Sequence, residues 1–321
     1  VMKYLAPAWL PGGHLQTIYP ATCISKPAVS FRRERWDTPD NDFIDVDFID
    51  GNAGQPFVVL FHGLEGSSDS HYARALMAAV QARGWSGAIP HFRGCSGELN
   101  QAPRFYHSGD AEEINWIIRR LHALHSKTNA AAPFFAAGVS LGGNALLRWI
   151  GESQQQATIV HAACAVSAPL DLAQGGASLS SGINMLYTRM FLKTLKPKCL
   201  RKLEQFPGLF DSNRLLEAKN LYEFDNVVTA PLHGYLDTDD YWHRASAKHV
   251  LNDITIPTLV LNAKNDPFLP GQYLPLKAAK CVQLDYPDRG GHVGFVSGKI
   301  PGQLDWLPQK ILHFFDKATH G

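Results

Sequence analysis

The stretch from Phe134 to Leu147 constrains this chain more than any other. Phe134 to Ala137 is apolar and short enough for a buried strand, Gly138-Val139-Ser140-Leu141-Gly142 follows, and Gly143 to Leu147 opens an apolar-periodic helix. Turning from strand to helix within about one residue forces Ser140 to a positive φ and crowds the residues two positions either side of it. Glycine at 138 and 142 removes the side chains that would collide there. The product is a hydroxyl at the tip of a turn, above the first free N–H groups of a helix, where developing negative charge is favoured. An ordinary glycine-serine turn carries the same letters. The strand before it and the helix after it make Ser140 a candidate nucleophile.

A chain of 321 residues can hold one large core with an insertion. Its formal net charge of +1 creates no global field for nucleic acid, so a nucleic-acid partner is not expected. The five cysteines, at 23, 95, 164, 199 and 281, are odd in number, scattered and without a C-x-x-C pair. That argues against a disulfide framework and a zinc site and for a reducing compartment. The first twenty residues lack the basic and apolar blocks of a signal peptide, and no apolar run is long enough to span a membrane. A cytoplasmic location is the expectation.

From Phe57 onward, short continuously apolar segments alternate with helical patterns, which is how a parallel sheet covered on both faces reads. Strands are expected at 57–61, 85–91, 134–137, 161–167, 258–262 and 281–285. Helices are expected from about Ser70, about Gly109, the serine turn and about Gln303. Before them, 30–36 and 44–49 predict a half-exposed antiparallel hairpin, because Ile44, Val46 and Phe48 alternate with Asp45 and Asp47. Residues 1–28 read as an ordered arm, too rich in Pro and Gly for a helix, with His14 and Gln16 as its polar anchors. The alternation stops between Asp171 and Tyr241, where helical patches and no strong strand predict a cap. The division is therefore an arm (1–28), a core (29–170 and 242–321) and a helical cap (171–241). The fold class is α/β, with a mostly parallel sheet, an N-terminal antiparallel hairpin and helices on both faces.

A serine needs a base to take its proton, and the base needs a carboxylate to fix its tautomer. Asp266, in Asn265-Asp266-Pro267 directly after an apolar strand, projects from the carboxyl edge of the sheet and is the candidate acid. Asp171 also follows a strand, but after Pro169 it reads as a helix cap. Among fourteen histidines, His292 follows the last strand in the glycine-rich loop Gly290-Gly291-His292-Val293-Gly294 and is the candidate base. His62 and His91 also end strands, but they precede the serine and are read as structural or pocket-lining. The two donors for an oxyanion are expected to be the backbone N–H groups of Leu141 and Leu64.

With these residues in place the chain resembles the α/β-hydrolase superfamily throughout, and more narrowly its YheT-like branch (AB hydrolase 4 family). The narrower resemblance rests on Pro11-Gly12-Gly13-His14-Leu15-Gln16-Thr17, His62-Gly63-Leu64-Glu65-Gly66, Phe92-Arg93-Gly94-Cys95-Ser96-Gly97, Gly138 to Asn144 and Asn265-Asp266-Pro267. Phe224-Asp225 and Thr229-Ala230-Pro231-Leu232-His233-Gly234 add to it. The resemblance implies an intracellular serine hydrolase, with acylglycerol lipases and phospholipase-like enzymes among its relatives. The expected reaction is hydrolysis of a small-molecule or acyl-lipid ester through Ser140, His292 and Asp266, with no cofactor and no metal. Thioester hydrolysis, amide hydrolysis and acyl transfer use the same three residues, and a non-catalytic binding protein on the same fold is the alternative of another class. Met185, Leu186, Met190, Phe191 and Leu195 read either as cap-to-core packing or as an acyl-binding surface. Lys193, Lys196, Lys198, Arg201 and Lys202 read as a solvated face, with weak contact to anionic lipid headgroups as the second reading.

Overall fold

Eight strands form one sheet: β1 (Arg32–Asp37), β2 (Phe43–Ile49), β3 (Phe57–Phe61), β4 (Ser86–Pro90), β5 (Phe134–Val139), β6 (Ala162–Val166), β7 (Thr258–Leu261) and β8 (Val282–Asp285). Their order across the sheet is β1-β2-β4-β3-β5-β6-β7-β8. The first two pairings, β1 with β2 and β2 with β4, are antiparallel, and all the others are parallel. This computed structural model describes residues 2–320. Among the described residues eleven α-helices accompany the sheet: α1 (Gly13–Thr22), α2 (His71–Ala82), α3 (Ala111–Asn129), α4 (Leu141–Ser153), α5 (Leu172–Leu179), α6 (Met185–Gln205), α7 (Ser212–Glu217), α8 (Leu221–Phe224), α9 (Ala230–Leu232), α10 (Thr238–Ala245) and α11 (Trp306–His320).

The continuously apolar strands are continuous because both faces are covered. Phe57, Val59 and Phe61 of β3, with Phe134 and Ala136 of β5, pack against Ile114, Ile117, Ile118 and Leu121 of α3 and Leu146 and Leu147 of α4. The alternate residues Val58, Leu60, Phe135 and Ala137 meet Leu76, Met77 and Val80 of α2 and Ile311, Leu312 and Phe315 of α11. Phe135 and Phe315 stack with centroids 4.5 Å apart and planes 2° from parallel, which docks the last helix on the sheet. Residues 171–241 are helical throughout their regular parts, and α10 continues to Ala245. Among the described residues no helix is long and apolar enough to cross a membrane.

Three expectations are corrected. The arm contains a helix: Pro11 and Gly12 lie just ahead of α1, where they start it rather than prevent it, and Pro20 is confined to its last turn. The hairpin is half-exposed strand by strand and not by alternating faces: four of the six residues of β1 are exposed, whereas all seven of β2 are buried. Arg33 and Arg35 of β1 reach across to Asp47 and Asp45 as two-pronged ion pairs (2.7 and 2.9 Å; 2.9 and 3.0 Å). Loop residues Ser68 and Ser96 donate to the same carboxylates at 2.5 and 2.7 Å. Alternation therefore identified the strand but not its burial, because charged residues can line a covered face when they are paired.

The basic cluster of α6 is also not one solvated face. Lys193 and Arg201 are exposed, whereas Lys198 is tied to Glu65 at 2.8 Å and Lys202 is fully buried. Lys202 Nζ donates to the carbonyls of Asn100 (2.6 Å) and Ala102 (2.8 Å), and burial lowers its pKa to about 8. The pair clamps α6 to the sheet's loops. Lys202→Met should lower unfolding free energy by about 1–3 kcal/mol by stranding two carbonyls, while Lys193→Met should change it by less than about 0.5 kcal/mol. Chemical denaturation of the two variants checks this.

Candidate active site

Ser140 sits between β5 and α4 with φ 52°, the left-handed conformation the abrupt turn requires. Its own N–H donates to the Val166 carbonyl at 2.8 Å, which fixes the turn to the neighbouring strand. The flanking glycines serve two different close approaches. A Cβ on Gly138 would stand 2.6 Å from the Gly142 carbonyl, whereas one on Gly142 would stand 2.4 Å from the carbonyls of Phe61 and His62 at the end of β3. The turn is thus seated against a second strand as well as folded on itself.

Asp266 follows β7 and is almost fully buried at 1 % exposure. One carboxylate oxygen accepts from the Phe268 N–H at 2.7 Å, and the other faces His292 Nδ1 at 2.8 Å. An ionised carboxylate only accepts, so Nδ1 carries the proton and Nε2 presents its lone pair. That lone pair faces Ser140 Oγ at 3.1 Å. The imidazole is held on three further sides. Its backbone N–H donates to Thr17 Oγ1 at 2.8 Å, the next N–H donates to Ser167 Oγ at 3.0 Å, and Phe268 stacks on the ring at 3.8 Å and 12°.

The loop after β3 approaches from the other side, where a Cβ on Gly63 would lie 3.2 Å from Ser140 Cβ. Its N–H groups divide clearly. Gly63 donates to Tyr72 Oη and Glu65 to Tyr106 Oη, each at 2.8 Å, and Gly66 donates to the Gly63 carbonyl at 3.0 Å. Among the described residues the Leu64 N–H between them has no protein acceptor, and neither does that of Leu141 at the start of α4. Leu64, Leu141 and Ser140 all line one cavity, whose walls include Leu172, Leu195, Phe224, Val228 and Trp242.

The other candidates are occupied elsewhere. Asp171 caps α5 by accepting from Gln174 N–H at 3.2 Å and pairs with Lys248 at 2.6 Å. His62 is fully buried, accepts from the Phe92 N–H at 3.0 Å, and burial pushes its pKa down to about 3, so it is neutral. His91 accepts from the Ser68 N–H at 3.1 Å. His14 meets Tyr187 Oη at 2.9 Å, and Gln16 is buried among the loops after β7 and β8. Among the described residues no three His, Cys, Asp or Glu side chains are grouped to hold a metal ion. Sequence reasoning missed Phe268, Tyr72, Tyr106, Thr17 and Ser167, which act through individual hydrogen bonds and ring contacts to residues distant in the chain and leave no periodic trace.

An eight-stranded sheet with a serine turned outward after its fifth strand, opposite a histidine and an aspartate from later strand ends, defines an α/β hydrolase. The family model for the alpha/beta hydrolase fold matches residues 56–298. Within that class the chain belongs to the YheT-like branch. It is 39 % identical over 305 residues to YheT of Escherichia coli (strain K12), a protein named an esterase by inference, covering 93 % of this chain and 88 % of that one. It is 30 % identical over 331 residues to the phospholipase ABHD3 of Mus musculus, covering 99 % and 79 %. A solved Pyrococcus furiosus esterase shares the fold at TM-score 0.55 and 16 % identity, over 90 % of this chain and 91 % of that one.

Asp225 also lines the cavity. Asp225 accepts from Thr229 Oγ1 at 2.6 Å and Trp242 Nε1 at 2.9 Å, and burial raises its pKa from 3.8 to about 6. The folded state holds this proton more tightly than the unfolded chain. Its contribution is therefore favourable below about pH 4 and is lost as the pH climbs through about 6. Asp225→Asn is neutral throughout and can keep both contacts. Its unfolding free energy relative to the native protein should rise by about 2 kcal/mol between pH 4 and 7. Denaturant titrations of both proteins at each pH measure the difference.

Proposed function

We propose that this carboxylic ester hydrolase works through an acyl-enzyme on Ser140, with His292 as base and then acid and Asp266 orienting it. The observation that carries the reading is one imidazole joined at once to the hydroxyl at 3.1 Å and to a buried carboxylate at 2.8 Å. Ser140 Oγ attacks the ester carbonyl as its proton passes to His292 Nε2, and Asp266 stabilises the imidazolium. The proton then goes to the departing alcohol oxygen. Water enters, gives a proton to the same nitrogen and attacks the acyl carbon, and Oγ leaves with that proton restored. The N–H groups of Leu141 and Leu64 receive the oxyanion, each contributing on the order of 3 kcal/mol to the transition state.

Residues 171–241 act as a cap whose apolar side chains, Leu195, Phe224 and Val228 among them, cover an acyl chain in the cavity. The names of the relatives, an esterase and a phospholipase, support an acyl-ester or lipid-like substrate. A fluorophosphonate probe should label the native protein and not Ser140→Ala. Turnover of p-nitrophenyl esters should fall by about 10⁴-fold or more in Ser140→Ala and His292→Ala. Labelling or turnover unchanged in Ser140→Ala defeats the reading. A chain-length series from acetate to palmitate, with matched thioesters, defines the preference.

A lipid surface is the second part of the reading. Leu186 and Met190 follow one another along α6 and Ile183 lies just before it. They are 54, 65 and 65 % exposed, beside the exposed Arg189 and Lys193. Apolar residues flanked by basic ones suit an anionic bilayer surface. Co-sedimentation with phosphatidylglycerol-containing vesicles should fall when salt is raised and in Leu186→Glu/Met190→Glu. Binding indifferent to both removes this part alone.

A further inference from the structure

The segment farthest from the candidate triad in sequence is fastened to both loops that carry its acid and base. Gln16 of α1 is fully buried. Its Oε1 accepts from Asn265 Nδ2, next to Asp266, and from the N–H of Gly290, two residues before His292, each at 2.9 Å. Its Nε2 donates to the Leu10 carbonyl at 2.8 Å, which fixes the direction of the amide. Thr17 Oγ1 donates to the Gly13 carbonyl at 2.7 Å and accepts from the His292 N–H at 2.8 Å. A hydroxyl has one proton to give, so this hydrogen bond fixes the lone pair that holds the imidazole's own backbone.

The backbones have been brought close enough to make these contacts specific. A Cβ at Gly13 would stand 2.0 Å from the Asn265 carbonyl oxygen, one at Gly291 2.8 Å from the backbone of Gln16, and one at Gly294 1.9 Å from the Gln16 carbonyl oxygen. The two loops also meet directly, farther from the triad through Lys264 N–H to the Pro287 carbonyl and Lys264 Nζ to Asp288 (each 2.8 Å), and nearer to it through Gly291 N–H to Asn265 Oδ1 at 3.0 Å, the Phe268–His292 stack and the Asp266–His292 pair itself. The arm also touches α6. His14 meets Tyr187 Oη at 2.9 Å, Tyr187 packs on Phe268 at 4.9 Å, and Phe268 stacks on His292.

We infer that Gln16 and Thr17 are positioning residues of the hydrolytic site: α1 sets the register between the acid loop and the base loop, and so places His292 Nε2 against Ser140 Oγ. This rests on the triad of the proposed function. Among the described residues none of the arm lines the cavity, so its effect acts on turnover and not on substrate affinity. Misplacing a base by about 1 Å costs on the order of 10²-fold. Thr17→Val keeps the shape and removes the acceptor, Thr17→Ser keeps the acceptor, and Gln16→Met removes the acceptor shared by the two loops.

The test measures kcat and KM on p-nitrophenyl acetate, the rate of fluorophosphonate labelling and the melting temperature for each variant of the full chain. Thr17→Val should lose about 10- to 100-fold in kcat and in labelling rate with KM within about twofold, and Thr17→Ser should recover to within about threefold. Gln16→Met should follow Thr17→Val, and it stands in if Thr17→Val does not fold. A folded Thr17→Val or Gln16→Met with native kcat overturns the inference. So does a Thr17→Ser that loses as much as Thr17→Val, since the loss would then come from packing and not from the hydroxyl. Ser140→Ala run in parallel separates the two readings: if it still turns over, the triad itself has failed, and if it is dead while the arm variants are native, only the arm's role has.

Discussion

Everything at the carboxyl edge of the sheet depends on one backbone conformation, the φ of 52° at Ser140. A non-glycine residue does not hold that conformation unless the surroundings over-determine it, and here they do. The Val166 carbonyl takes the Ser140 N–H, Gly142 is pressed against the end of β3, and Gly138 against Gly142 itself. The strain is on the order of 1–3 kcal/mol, small beside the packing of β5 between two layers of helices. The rigidity of that sandwich is what keeps a lone hydroxyl fixed.

Buried charge organises the rest. Asp47 and Asp45 are held by Arg33 and Arg35, Lys202 by two carbonyls, and Glu65 by Lys198 of α6. Each is costly to bury and is accompanied by enough partners to offset the desolvation. These contacts join loops that come from separate crossovers. Glu65 is the clearest case: its side chain is anchored to α6, while its N–H is committed to Tyr106, and the neighbouring Leu64 N–H is left unused. A polar network on one side of a loop thereby determines which amide is left without an acceptor.

The sheet was legible because its strands are apolar on both faces and bounded by turn residues, and β5 through α4 could be read almost residue by residue. Asp266 and His292 could be nominated because position after a strand is a property of order along the chain, which a sequence does carry. Burial of charged residues was not legible. The alternation of β2 is the same whether its aspartates face water or two arginines, and only the loops at 65–70 and 93–98 decide between them. The basic residues of α6 mislead for the same reason, since Lys198 and Lys202 differ from Lys193 only in what the fold brings opposite them. Helix α1 was hidden by the weight given to Pro and Gly at its borders. Gln16 and Thr17 have partners in the last sixty residues, and no local pattern reports a partner that distant.

That distance has a consequence for how the protein comes into being. The bond from His292 to Thr17 spans 275 residues, and those from Gln16 span 249 and 274. During translation the arm leaves the ribosome before its partners, which follow on the order of 15–55 seconds later. Through that interval the serine turn can already be complete while His292 is not yet beside it. On the proposed mechanism, a polypeptide halted before His292 is chemically silent, and hydrolytic competence arrives only when the loop after β8 closes back onto α1.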